Sequence, residues 1–193
     1  MSLPLVVGIS GASGVVYGVR LLELLKTAGV PAHLIVSRSA AQTLKEEMDL
    51  GVDAVRALAA VSYSNSDMGA AISSGSFKTR GMIVVPCSVR TLADVAHGGG
   101  DSLIGRAADV TLKERRRLVL VVRETPLHAG HIRSMLAATE NGAIVMPPVP
   151  AFYARPQSVK DIVDQTAGRA LDLFDIDAGI VKRWRAEPAP KSE

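Results

Sequence analysis

The sequence has little of what builds disulfides, membrane spans or nucleic-acid surfaces. It contains a single cysteine, Cys87, in 193 residues, so an internal disulfide cannot form. No apolar run approaches the ~20 residues that a membrane-spanning helix needs. Aromatic residues make up 4% of the chain, the formal net charge is only +3, and the basic residues form no long run with interleaved aromatics. These features argue against a nucleic-acid partner.

The N-terminal residues lack the basic segment, long apolar stretch and small-residue cleavage site of a secretory signal. We therefore expect a cytoplasmic protein. Only His128 and His131 lie close together among the four histidines, and no third ligand can be named for them. A structural or capping role is the simpler interpretation of this pair, and no metal is expected.

What the sequence does have is an alternation of short apolar runs and helical patterns. The runs predict buried parallel strands at 4–9, 32–36, 82–85, 118–122 and 143–146. Helices are predicted at 15–28, 39–48, 91–96, 103–115, 130–138 and 158–173. Alternation of this kind predicts an α/β fold with a single doubly wound parallel sheet. We expect one domain over 1–186 and a disordered tail over 187–193.

The first predicted strand ends at a turn of small residues, Ser10-Gly11-Ala12-Ser13-Gly14. The turn predicts Ser13 at the N-cap of the following helix, where backbone N–H groups and the helix dipole favour a phosphate. It lacks the spacing of a dinucleotide fingerprint and the ending of a P-loop. A turn that merely caps its helix therefore remains an alternative.

Polar residues follow the other predicted strands. They are Ser37, the segment Ser88 to Thr91, Arg123, Glu124 and Tyr153. Because open parallel sheets bind ligands outside the carboxyl ends of their strands, we expect a polar crevice at this edge.

The predicted helix at 103–115 carries Arg106, Asp109 and Lys113 on one face. Arg106 and Lys113 would suit a phosphate monoester. Ordinary ion pairing through Asp109 is the alternative. The basic run Arg115 to Arg117 is expected to complement the C-terminal dipole of the same helix.

Seven stretches in order resemble the flavin prenyltransferases of the UbiX family, formerly described as 3-octaprenyl-4-hydroxybenzoate carboxy-lyases. They are residues 8–14, 73–77, 86–91, 106–110, 112–116, 123–128 and 147–153. The resemblance covers nearly the whole chain and implies a Rossmann-like flavoprotein fold. It also implies metal-independent transfer of the dimethylallyl group of dimethylallyl phosphate to FMN. The product, prenylated FMN, would serve a partner decarboxylase of the ubiquinone-biosynthesis or aromatic-acid type, and the enzyme would be a homo-oligomer, a dodecamer.

The resemblance assigns roles to individual positions. The implied FMN contacts are Gly11, Ala12, Ser13, Ser37, Ser88, Val89, Arg90, Thr91 and Arg123. The implied prenyl-phosphate contacts are Tyr153 and Arg169, assisted by Arg106, Lys113 and Arg123. Glu47 and Glu124 match the catalytic carboxylates, and Lys113 would support departure of the phosphate. From its sequence context alone, Glu47 would be a solvated acid at a helix end.

The sequence leaves two other functions open. One is an FMN-dependent decarboxylase acting on its own substrate, such as the cysteinyl-peptide decarboxylases, which resemble one another in a Pro-Ala-Ser-Ala-Asn-Thr motif. Residues 86–91 read Pro-Cys-Ser-Val-Arg-Thr instead. The other is a non-catalytic flavin carrier, against which the retained candidate residues Arg106, Lys113, Glu124, Tyr153 and Arg169 argue.

Overall fold

The computed structural model describes residues 2–185 and contains one six-stranded sheet. Its strands are β1 Leu5–Ile9, β2 Ala32–Val36, β3 Val61–Ser64, β4 Gly81–Cys87, β5 Arg117–Val122 and β6 Ile144–Val145. All of the pairings are parallel, and the strand order is β3-β2-β1-β4-β5-β6. The predicted α/β fold with a doubly wound parallel sheet is therefore confirmed.

Residues 2–185 form seven α-helices, of which six lie between strands and the last follows β6. They are α1 Val15–Thr27, α2 Arg38–Met48, α3 Val52–Arg56, α4 Val89–His97, α5 Leu103–Lys113, α6 Ala129–Glu140 and α7 Val159–Asp172. Within residues 2–185, no helix has both the length and the apolar character needed to cross a bilayer. The tail predicted over 187–193 lies outside the described residues.

The inner strands of the sheet are buried on both faces, as their apolar sequences require, whereas the edge strand β3 is largely exposed. All residues of β1 and β4 are buried. Leucines of α1 and α7 cover one face, among them Leu21, Leu22 and Leu171. Leu92 of α4 and Leu103 of α5 belong to the core on the other face. Each fully buried leucine contributes about 2 kcal/mol, so the sheet is a rigid base for the loops at its edges.

The strand order places a topological switch point between β1 and β4, because the chain winds outward from β1 to β3 and then crosses back. The buried Ser10 hydroxyl joins the two strand ends. Its Oγ donates to the Pro86 carbonyl at 2.9 Å and accepts from the Ser88 N–H at 2.8 Å. This bridge fixes the start of α4 beside the end of β1. Ligands of such folds bind in the crevice at this point.

Candidate active site

A cavity of about 520 Å³ opens at the carboxyl ends of β1 and β4. All nine positions expected to contact FMN line it, and so does Glu124. The cavity also has five lining residues that the sequence reasoning missed: Arg38, Ser39, Asn65, Asp94 and Ser102. Arg38 and Ser39 directly follow an expected residue, so sequence adjacency could have found them. Asn65 and Asp94 carry no comparable signal.

Three helix N-termini face this cavity. Ser37, Ser88 and Ser102 are the N-caps of α2, α4 and α5, and each lines it. Their Oγ atoms accept from the N–H groups of Ala40 at 3.0 Å, Thr91 at 3.3 Å and Gly105 at 3.2 Å. The positive ends of three dipoles thus converge on one space, which favours an anionic ligand.

The N-terminus of α1 differs from the prediction. Gly14, not Ser13, is its N-cap; Gly14 has φ 95°, and no side chain of the cap residue bonds the helix. Instead Oε2 of Glu47 accepts from the N–H groups of Gly14 at 2.8 Å and Val15 at 3.2 Å. The prediction of Ser13 as the N-cap is therefore wrong, because Gly14 takes that position and the Glu47 carboxylate binds the free N–H groups. Ser13 still lines the cavity.

Glu47 is therefore not simply a solvated acid. It lies near the C-terminus of α2, 33 residues from Gly14 in sequence, and ties α2 to the loop after β1. Its carboxylate binds the N–H of Gly14, the residue that follows the cavity-lining Ser13. The position suits a group that acts at the cavity edge.

Arg123 and Glu124 both line the cavity, although successive residues of a strand point to opposite faces. They can do so because β5 ends at Val122. The Arg123 N–H donates to the Cys87 carbonyl at 3.1 Å, and Oε1 of Glu124 accepts from the Thr125 N–H at 3.0 Å. The charge of Arg123 also acts on Tyr17 of α1. Burial raises the pKa of the Tyr17 hydroxyl, and the positive charge of Arg123 opposes that rise.

Cys87 takes no part in this chemistry. It is fully buried at the end of β4, and burial raises the pKa of its thiol. A buried thiol of this kind is inert. Cys87 thus packs as a small hydrophobic residue of the core.

The expected prenyl-phosphate residues other than Arg123 do not line the same cavity. Nε of Arg106 donates to the Ser73 carbonyl at 3.2 Å, and its Nη1 pairs with Asp109 at 2.7 Å. Nζ of Lys113 pairs with Glu114 at 2.7 Å. The reason is the course of α5, which begins at the cavity and extends eleven residues, about 16 Å, toward the opposite sheet edge.

Tyr153 and Arg169 lie near the C-terminal part of the described chain. Arg169 pairs with Asp172 at 2.5 Å, and Asp172 also binds Arg183 at 2.8 Å. The Tyr153 ring meets the Trp184 ring edge-on, with 5.5 Å between the ring centroids. A single chain thus brings together the expected flavin contacts but not the full set of expected phosphate contacts.

Of the histidine pair, His128 has the capping role that the sequence favoured. Nδ1 of His128 accepts from the Gly130 N–H at 3.0 Å, which caps α6. The His128 and His131 rings stack with 3.6 Å between centroids. Within residues 2–185, no three histidine, cysteine, aspartate or glutamate side chains are grouped so that they can hold a metal ion.

Comparison with known proteins gives a direct family assignment. A family model described as "Flavoprotein" matches residues 2–183. The flavin prenyltransferase UbiX of Escherichia coli strain K12 is 54% identical over 184 residues, which cover 94% of this chain and 97% of that protein. The chain belongs to the UbiX family of flavoproteins.

Solved structures of UbiX proteins share the fold closely. The crystal structure of AnUbiX (PadA1) in complex with FMN and dimethylallyl pyrophosphate matches with a TM-score of 0.94 and 50% identity, covering 95% of this chain and 98% of that one. A dodecameric FMN-dependent UbiX-like decarboxylase from Escherichia coli O157:H7 matches with a TM-score of 0.92 and 46% identity, covering 94% and 99%.

Proposed function

We propose that this protein is a flavin prenyltransferase that joins the dimethylallyl group of dimethylallyl phosphate to FMN. The observation that carries the proposal is the cavity at the β1–β4 switch point, where three helix N-termini and Arg123 converge. The UbiX relatives support it, since AnUbiX was crystallised with FMN and a dimethylallyl ester. The product would be prenylated FMN, which a partner decarboxylase uses, and the reaction would take place in the cytoplasm.

The residues of the cavity fit FMN. Gly11 allows the loop after β1 to touch the start of α2, because a Cβ on Gly11 would lie 2.3 Å from Cβ of Ser39. The segments 11–13 and 37–39 are therefore close enough to share one phosphate, with the N-terminal N–H groups of α2 and the Arg38 side chain beside it. A site for a terminal phosphate favours FMN over FAD, whose second phosphate carries an adenosine. Bound FMN supplies the ring atoms that accept the prenyl group.

Departure of phosphate from an allylic carbon leaves an anion that needs cations around it. Arg123 provides one from within the cavity. We infer that Arg106, Lys113, Tyr153 and Arg169 reach the prenyl phosphate from neighbouring copies in a homo-oligomer, because they do not line the cavity of their own chain. The dodecameric state of the E. coli O157:H7 protein supports such an assembly.

Glu47 and Glu124 are the proposed proton-transfer groups. Both sit at or beside the cavity, and each carboxylate is oriented by backbone N–H groups. A carboxylate held in this way can accept or return a proton at the prenyl or flavin carbons.

Mass spectrometry of the flavin tests the proposal. Protein, reduced FMN and dimethylallyl phosphate are incubated, and the flavin is extracted and weighed. We expect a flavin heavier by the dimethylallyl group, and no such product with the Lys113→Met variant. Bound FMN of unchanged mass under all conditions would instead indicate a carrier or a decarboxylase.

A further inference from the structure

A second cavity, of about 630 Å³, lies at the amino ends of the strands, whereas the proposed flavin site lies at their carboxyl ends. It is formed where β4, β5 and β6 begin, and we call it the arginine cleft. Four arginines line it: Arg80, Arg115, Arg116 and Arg117. The function proposed above leaves this cleft without a role.

Two of the four guanidinium groups are already used by the fold. Arg116 donates to the carbonyls of Phe77 and Gly75 at 2.7 Å each, and lies 3.9 Å from the Glu114 carboxylate. Arg117 pairs with Asp175 at 3.2 Å and donates to the Leu173 carbonyl. Asp175 is the one carboxylate among the residues that line the cleft.

The other two cations are uncompensated. Across residues 2–185, the side chains of Arg80 and Arg115 make no ion pair and no hydrogen bond. Both are exposed. The cleft therefore presents two free guanidinium groups, and a concave surface concentrates their field. A ligand that matches them carries at least two negative charges.

The backbone at Arg115 is a second, independent observation. The Arg115 N–H bonds to the Leu112 carbonyl and the Arg116 N–H to the Thr111 carbonyl, both at 2.9 Å, which is the Schellman pattern at the end of α5. Arg115 occupies the left-handed position of this motif, with φ 56°. Glycine is the usual residue there, because a Cβ is disfavoured. The chain places a guanidinium at the cleft despite that local preference.

We propose that the arginine cleft binds an oligophosphate, a small molecule with at least two adjacent phosphate groups. Guanidinium groups recognise phosphate oxygens through paired N–H donors. The volume of the cleft lies in the range of small-molecule sites. Leu112, Ile144 and Phe174 provide an apolar floor on which an organic part of the ligand can rest.

Isothermal titration of the FMN-saturated protein tests this proposal, with inorganic pyrophosphate and ADP as separate probes. We expect binding with a Kd below about 1 mM that weakens as salt is added. Tighter binding of ADP than of pyrophosphate would identify a nucleotide, and equal binding would identify a diphosphate group alone. Failure of both probes to bind the wild-type protein would overturn the proposal.

The double variant Arg80→Gln/Arg115→Gly locates the binding site. Loss of two charge-assisted contacts should weaken binding at least about tenfold. Arg115→Gly alone should not lower the melting temperature, because glycine suits the left-handed backbone. The control is Arg56→Gln, which removes an exposed cation from α3. Unchanged binding by the double variant would place the probe at the prenyl-phosphate site and refute the cleft.

Discussion

Three of the four cations expected to hold the prenyl phosphate are paired with a carboxylate in the single chain, and Arg123 is the fourth. Arg106 pairs with Asp109, Lys113 with Glu114 and Arg169 with Asp172. The pairs of Arg106 and Lys113 are exposed and contribute little to stability, whereas the Asp172 side chain is only 12% exposed. The Lys113 ammonium nevertheless lowers the pKa of the Glu114 carboxyl. A phosphate that carries more charge than a carboxylate can therefore replace Asp109 and Glu114 as partners at small cost to the fold.

Substitution of Lys113 can distinguish a role in prenyl transfer from a role in folding. Lys113→Met keeps the apolar stem and removes the ammonium, so we expect prenyl transfer to be lost while the melting temperature changes little. The matched control is Lys26→Met, since Lys26 is the basic residue in the last turn of α1, as Lys113 is in the last turn of α5. Turnover is measured as prenylated flavin formed per minute. Wild-type turnover by Lys113→Met would return Lys113 to the role of an ordinary surface cation.

The carboxylates are tested by their isosteric amides. If Glu47 or Glu124 transfers a proton, Glu47→Gln or Glu124→Gln should keep FMN bound yet slow product formation by about 10²-fold or more. The measurement is single-turnover product formation with FMN reduced beforehand. A purely binding role predicts instead that the rate recovers at high dimethylallyl phosphate.

Glu46 provides the control for Glu47. It is the neighbouring exposed carboxylate on α2, and within residues 2–185 its side chain makes no hydrogen bond or ion pair. Glu46→Gln should react at the wild-type rate. If Glu124→Gln also does so, Glu124 is not the proton-transfer group and Glu47 remains the candidate.

At the scale of elements, the sequence predicted the framework well because its strands are buried on both faces. The run at 32–36 matches β2 residue for residue. The prediction for β4 ended at Val85, two residues early, because Pro86 and Cys87 also belong to the strand. The edge strand β3 was missed because Val61–Ser64 has three exposed positions and two serines, so its pattern is not that of a buried strand.

The ends of the elements were harder to predict than their centres. Ser13 has a side chain suited to an N-cap, but Gly14, in the left-handed conformation, is the N-cap of α1. The carboxylate of Glu47, which is distant in sequence, binds the free N–H groups instead of a Ser13 hydroxyl. The basic run Arg115 to Arg117 was assigned to one helix end, yet Arg117 begins β5. The contact between Glu47 and Gly14 joins residues 33 positions apart, and the turn at Arg115 separates α5 from β5. Neither feature leaves a local signal in the sequence.

The N-cap of α4 should matter for both stability and flavin binding. Ser88→Ala removes the cap, which should lower the free energy of unfolding by about 1 kcal/mol. Because α4 faces the cavity, the affinity for FMN should fall as well. Ser158→Ala removes an equivalent cap from α7, which does not line the cavity. We expect Ser158→Ala to lower the free energy of unfolding by a similar amount but to leave the Kd for FMN, measured by fluorescence titration, unchanged. Equal FMN affinities for both variants would contradict the proposed role of α4.

His33 of β2 makes the packing around the sheet edge sensitive to pH. Its Nδ1 lies 2.9 Å from the Tyr63 hydroxyl, and its ring packs between those of Tyr63 and Phe77. Burial lowers the pKa of His33. The unfolded chain therefore takes up this proton first, and stability falls as the pH drops below about 6.5, the unfolded value. Urea unfolding at pH 7.5 and 5.5 should show a smaller loss for His33→Phe than for wild type; parallel losses would rule His33 out.

The tertiary fold determines where Arg106 and Lys113 lie relative to the cavity, which no single segment of the sequence could show. Sequence spacing put Arg106 and Lys113 on one helical face, and the resemblance put them at the prenyl phosphate. The direction of α5 carries them away from their own cavity, a consequence of the fold rather than of the local pattern. On the proposed function, a complete site would therefore depend on contacts between copies.

An apolar surface is available for such contacts. On α6, Ile132 is 56% exposed and Leu136, one turn later, is 58% exposed. Val149 and Phe152, in the segment after β6, are each 73% exposed. Large apolar side chains that stay exposed in a single chain are candidates for burial at an interface between copies. We expect this surface to be buried when the oligomer forms.

The last prediction joins assembly to catalysis. Leu136→Lys places a charge in the apolar surface, so it should yield smaller particles in sedimentation velocity and remove prenyl transfer, while the far-ultraviolet circular dichroism stays that of the folded chain. The control is Thr139→Lys, which adds the same charge at an exposed position of α6 and should leave both assembly and turnover intact. Mixing Leu136→Lys with excess substrate should not restore activity, because the missing cations belong to absent neighbours rather than to a weakened pocket. A monomer that still forms prenylated FMN would show that one chain holds the whole site and that Arg106 and Lys113 act elsewhere.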